Sequence, residues 1–123
     1  MSAPVPEQLP PAERGALRIA DRVVAKIAAY SAGEVLAGLP DADLVPREAA
    51  PHATVSIRKD TARLRLALEL GYPADLGAVT AAVRRHVASR VEALTGLAVP
   101  ELAIEIERLH SLTVRRKNEG RVR

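Results

Sequence analysis

The chain of 123 residues has no cysteine, no tryptophan and no phenylalanine, and only two tyrosines. The lack of cysteine excludes disulfides, cysteine-based zinc sites and thiol catalysis. Because aromatic rings are so scarce, the core must be aliphatic, built mainly from alanine, valine, leucine and isoleucine. The same scarcity argues against sheet-face RNA binding, which depends on exposed aromatic side chains that stack on bases.

Long hydrophobic runs are also missing. A membrane-spanning helix needs roughly 18 to 20 apolar residues, and Lys26 and Glu34 interrupt the best candidate. The first residues of the chain lack the basic start and apolar stretch of a secretory signal. We therefore expect a cytoplasmic protein, free or peripheral to the inner face of the cell membrane.

Positive charge is concentrated at one end of the chain. The net charge is +3, but residues 115–123 alone carry five basic side chains and one acidic side chain, a net of +4. The other 114 residues therefore sum to −1. Any attraction to phosphate or to anionic lipid is expected in this segment, through Arg115, Arg116, Lys117, Arg121 and Arg123.

Composition divides the chain into three parts. Residues 1–14 hold four of the nine prolines and few apolar groups, which predicts a flexible leader. Residues 15–110 carry the periodic hydrophobic patterns of one α/β domain, and residues 111–123 form a basic tail. At the start of the domain, the alternation at residues 17–19 indicates a short first strand.

Two helices are predicted from apolar residues at three- and four-residue spacing. The first begins with Asp21 as N-cap and ends near Gly38 and Pro40. The second is capped by Asp75 and closed by Gly96 in a left-handed conformation. Its apolar stripe consists of Leu76, Val79, Val83, Val87, Val91 and Leu94.

Strands are predicted where apolar and polar residues alternate. Residues 55–58 and 63–70 flank the turn Lys59–Asp60 and read as an antiparallel hairpin with one leucine face and one charged face. A last strand around residues 102–106 turns its isoleucines inward and its glutamates outward. We expect Glu105 and Glu107 to face Arg63 and Arg65 across the sheet.

The predicted order is (β)αββαβ. It corresponds to an α+β, two-layer fold in which two helices pack on one face of a three- or four-stranded, mainly antiparallel sheet. The loop between the first helix and the hairpin, residues 40–51, is long for a compact domain and is a candidate for partner contact.

Motifs for chemistry are missing from this sequence. The three histidines, His52, His86 and His110, lack the spacing of a metal site. No G-x-S-x-G nucleophile turn and no phosphate-binding glycine loop occurs. We expect no catalysis, no cofactor, no metal and no small-molecule substrate.

Binding through charge leaves three kinds of partner open. Arg84 and Arg85 on the second helix, together with the five basic residues of the tail, are candidates for contact with an anionic lipid surface, a protein partner or nucleic acid. Non-specific nucleic-acid binding through the tail is the alternative function. Exposed edge strands at residues 53–58 or 101–109 would favour self-assembly by strand addition.

The chain also resembles a known family. Residues 15–19, the apolar positions that follow them, and the run Leu94-Thr95-Gly96-Leu97 before the last strand are similar to the bacterial alkaline shock protein family of envelope stress response proteins. The similarity spans roughly residues 15–109. It implies a non-enzymatic protein of cell-envelope homeostasis, which lies at the inner membrane surface through a membrane-anchored partner and self-associates.

Overall fold

The computed structural model describes residues 19–112. Helix α1 (Asp21–Ala37) is followed by two short 3-10 turns, Ala42–Leu44 and Arg47–Ala49. Strands β1 (His52–Arg58) and β2 (Thr61–Gly71) form a hairpin, helix α2 (Leu76–Thr95) follows, and strand β3 (Ala98–His110) ends the fold. The predicted leader, the predicted first strand up to residue 18, and the tail beyond residue 112 lie outside the described residues.

The three described strands form a mixed sheet in the order β1-β2-β3. Strand β1 pairs antiparallel to β2, whereas β3 pairs parallel to β2. The α+β fold with helices on one sheet face is confirmed, but the second strand pair runs in the opposite sense to the mainly antiparallel prediction. A tight turn reverses the chain between β1 and β2, whereas the 20-residue helix α2 runs back along the sheet and returns β3 in the direction of β2.

The core lies between the helices and the leucine face of β2. Alternate residues of β2 are fully or almost fully buried, and they pack against the valine stripe of α2, a small-residue face of α1 and Leu102 of β3. The buried residues of the two helices are Val24, Ala28, Ser31, Ala32, Val79, Val83, Val87 and Val91. Small side chains on α1 let this helix approach closely, so the aliphatic core expected from the composition is confirmed.

The ends of the helices differ in part from the predictions. Helix α1 has Ala20 as its N-cap residue, without a capping side chain, because Asp21 already belongs to the helix. Helix α2 follows the prediction: Asp75 accepts a hydrogen bond from the Ala78 amide at 3.0 Å, and Gly96 is left-handed with φ of 77°. The predicted apolar stripe is shorter than expected, since Leu76 and Leu94 at its two ends are 40% and 57% exposed.

Candidate interaction surface

One face of the sheet is open to solvent in the described part of the chain. Both helices pack on the opposite face, so the outward side chains of the strands are exposed. Residues of all three strands line a shallow depression of about 310 Å³ on this face. Its outward residues include Thr54, Ser56, Arg63, Glu101 and Ala103. This surface is shallow and carries hydroxyl and charged side chains, which suits contact with another macromolecule better than enclosure of a small ligand.

Arg63 and Glu101 form an ion pair on this face. Arg63 Nε lies 3.2 Å from Glu101 Oε1, and the two residues are direct neighbours in the β2–β3 register. The predicted partners of Arg63 and Arg65 are therefore wrong, because Glu105 lies opposite Ala67 and Arg65 lies opposite Ala103. An irregularity in the register after Leu68 and Ile106 leaves Glu107 without a direct partner on β2.

The sheet of residues 19–112 ends in two edge strands, β1 and β3, as expected from the sequence. The β3 edge carries features that oppose the pairing of a further strand. Pro100 has no N–H to donate, and Arg84 Nε donates a hydrogen bond of 3.4 Å to the Leu102 carbonyl oxygen. Glu105 and Glu107 add charge to its second half. Prolines and charged side chains are common features that keep an edge strand from pairing with a strand of another chain.

Strand β1 is less defended. Its seven residues, His52–Arg58, contain no proline, and Arg58 at the end is the one permanently charged residue. Outward Thr54 and Ser56 alternate with half-buried Ala53, Val55 and Ile57. An unpaired row of backbone N–H and C=O groups on such a strand is a template for addition of a strand from another chain.

The basic residues proposed for contact do not form one patch among the described residues. Arg84 and Arg85 are both exposed on α2, but consecutive helical residues point about 100° apart. Arg84 is directed toward β3 by its bond to Leu102. Arg115, Arg116, Lys117, Arg121 and Arg123 lie outside the described residues.

Two histidines form pairs with glutamates that are distant in sequence. His86 Nε2 of α2 lies 2.8 Å from Glu34 Oε1 of α1, and His110 Nε2 lies 2.6 Å from Glu69 Oε1 of β2. The partners are 52 and 41 residues apart, so no local pattern could have revealed them. His110 is the last residue of β3, which extends beyond the residues 102–106 predicted for this strand. The first pair connects α1 to α2, and the second connects β2 to β3.

No group of three or more His, Asp or Glu side chains that could hold a metal ion occurs between residues 19 and 112.

A second concave region lies beside the C-terminal end of α1. The end of α1, the loop with the 3-10 turns and the end of β2 enclose a groove of about 270 Å³. Its lining is mainly apolar and includes Leu36, Leu39, Val45 and Leu70. The length of the loop is evident from the sequence, but the groove is not, because its opposing wall comes from β2.

Comparison of the chain with models of protein families, with curated proteins and with solved structures finds no match.

The two helices were also compared with the requirements of a membrane span. Neither α1 nor α2 combines the length and the apolar character that crossing a membrane requires, and this finding covers residues 19–112.

Proposed function

We propose that the protein is a non-enzymatic interaction module of the cell envelope, which binds a membrane-anchored protein at the inner membrane surface through the β1 edge of its sheet. The observation that carries this proposal is the less defended edge strand His52–Arg58 of the described sheet, which lies beside an open sheet face. The resemblance to envelope stress response proteins supplies the setting.

The contrast between the two edges supports the choice of β1. A partner strand at β3 would meet Pro100, the Arg84 side chain on Leu102, and two glutamates. At β1 it would meet hydroxyl side chains that can hydrogen-bond and apolar side chains that can be covered. Main-chain hydrogen bonds would then give affinity, and alternate side chains would give specificity.

A matched pair of lysine substitutions in the full chain tests the proposal. Ser56→Lys places a charge on the β1 edge, and Ser89→Lys places the same charge on the exposed surface of α2. In a bacterium that produces the chain, we expect Ser56→Lys to shift the protein from the membrane fraction to the soluble fraction. Ser89→Lys should leave the distribution unchanged, and circular dichroism should show both variants folded.

A third variant separates this function from its alternative. It replaces the five basic residues of the segment 115–123 by glutamine. If membrane association is lost in this variant but kept in Ser56→Lys, attraction of the tail to anionic lipid explains it and the edge proposal fails. Release of the protein from the pelleted fraction by nuclease would also overturn the proposal, in favour of non-specific nucleic-acid binding.

A further inference from the structure

The apolar groove at the end of α1 and the place where the described chain ends lie beside the same residue. Gly71 lines the groove, and it is also the register partner of His110 at the end of β3. The next residue, Tyr72, donates its amide to the His110 carbonyl oxygen at 2.8 Å. The chain therefore leaves β3 at the wall of the groove, with Leu112 as the last described residue.

The charges around the groove are mostly negative. Asp41 and Glu69 belong to its lining, and Asp43 and Glu48 are exposed on the loop between lining residues. Arg47 is the one basic side chain in this set, so the set carries a net charge of −3. We call these five residues the acidic rim; Glu69 within it is held by His110 at 2.6 Å.

The segment that follows Leu112 has the complementary composition. Residues 115–123 carry a net charge of +4, and Val114 and Val122 provide aliphatic side chains. A groove of about 270 Å³ suits a few such side chains. Opposite charges at a surface favour binding and become less effective as salt screens them.

Geometry favours this end of the chain over the other. The N-terminal segment enters the fold at Ile19, before α1, whereas the groove is lined by residues from the last turns of α1. A 17-residue helix is about 25 Å long, so the N-terminal segment starts a helix length away from the groove. The described chain ends at Leu112, two residues beyond His110, the register partner of Gly71.

We propose that the C-terminal segment 113–123 folds back within the same molecule onto this groove, with its valines in the apolar floor and its basic residues on the acidic rim. Binding in this way competes with any contact of the same basic residues with anionic lipid or nucleic acid. The proposal does not depend on the β1 edge, and it concerns different residues.

Paramagnetic labelling of the full chain tests the proposal, because the protein has no cysteine of its own. Asn118→Cys carries a nitroxide label, and amide signals are measured by NMR. We expect loss of intensity at the groove residues Leu36 and Val45, and unchanged intensity at Arg22 near the start of α1. Unchanged intensity at Leu36 and Val45 would overturn the proposal.

The controls separate docking from mere proximity. The double substitution Asp43→Lys/Glu48→Lys reverses two exposed charges of the rim and should restore the signals of Leu36 and Val45, as should high salt. Equal signal loss with and without the substitutions would overturn the role of the rim. A mixture of unlabelled isotope-enriched protein with labelled protein of natural isotope content tests the intramolecular arrangement. Signal loss in that mixture would place the segment on a second copy instead, and would overturn the intramolecular proposal.

Discussion

Gly71 at the end of β2 lies directly against Asp41 in the loop after α1. A β-carbon at Gly71 would come within 2.2 Å of the Asp41 carbonyl oxygen and 2.6 Å of the Asp41 β-carbon. Both distances are shorter than atoms tolerate, and the nearest atom belongs to the backbone. The loop therefore rests on the sheet at a position that only glycine allows.

Gly71→Ala is expected to destabilise the protein by about 1–3 kcal/mol, because the loop or the strand end must shift to admit a methyl group. Gly33→Ala is the matched control, since its β-carbon would meet Pro51 at an ordinary 4.0 Å. In the helix interior this change should stabilise by roughly 0.5–1 kcal/mol. Urea denaturation measures both, and a Gly71→Ala midpoint equal to that of the parent protein would contradict the packing of this loop.

The two aspartates near the starts of the helices should differ in their effect on stability. Asp75→Ala removes the hydrogen bond to the Ala78 amide, and we expect a loss of about 0.5–2 kcal/mol. Asp21 makes no capping bond within the described residues and acts on the helix dipole alone, so Asp21→Ala should cost about 0.3–1 kcal/mol. Thermal unfolding followed by circular dichroism ranks the stability of the two variants. A larger loss of stability for Asp21→Ala would indicate that Asp21 is the N-cap, as the sequence predicts.

Ser31 is the buried polar residue of the described core. It is 1% exposed, and its hydroxyl forms no hydrogen bond within residues 19–112. We expect Ser31→Ala to stabilise the protein, since an unsatisfied buried polar group costs about 1–3 kcal/mol. The reverse change at its neighbour, Ala32→Ser, should destabilise. Chemical denaturation decides the sign, and a destabilised Ser31→Ala variant would indicate a partner for the hydroxyl.

The ion pair Arg63–Glu101 provides a test of the β2–β3 register. A double-mutant cycle with alanine at both positions should give a coupling of about 0.2–1 kcal/mol, because both side chains are exposed. The cycle for Arg63 and Glu105 should give no coupling beyond about 0.3–0.5 kcal/mol, the scatter for independent sites. The opposite result would place β3 in the register that was expected from the sequence.

Much of the fold follows from local patterns in the sequence. The two-residue alternation of β2 and the valine stripe of α2 both express which side of an element is buried, and this is a local property. The α2 cap at Asp75 and its end at Gly96 were also predictable, because each depends on the conformation of adjacent residues. At the other helix the local signal misled, since Asp21 is one residue inside α1.

The features that make up the candidate surfaces depend on residues far apart in the chain. Alternation shows that Glu101, Glu105 and Glu107 point outward, but it does not show which of them lies opposite Arg63. A shift of β3 by two residues along β2 would leave every side chain on the same face of the sheet. The same limit applies to the pairs His86–Glu34 and His110–Glu69 and to the groove between the loop and β2.

The sequence by itself determined the two helices, the hairpin and the last strand, their buried faces, the aliphatic core and the concentration of positive charge beyond residue 114. Tertiary structure alone decided that β3 runs parallel to β2, that β2 is central, and that β1 is the less defended edge. The physical reason is that the hydrophobic periodicity of a helix or strand shows only which of its own sides is buried. Direction, register and edge position arise only when separate elements compete for the same hydrogen-bonding neighbours.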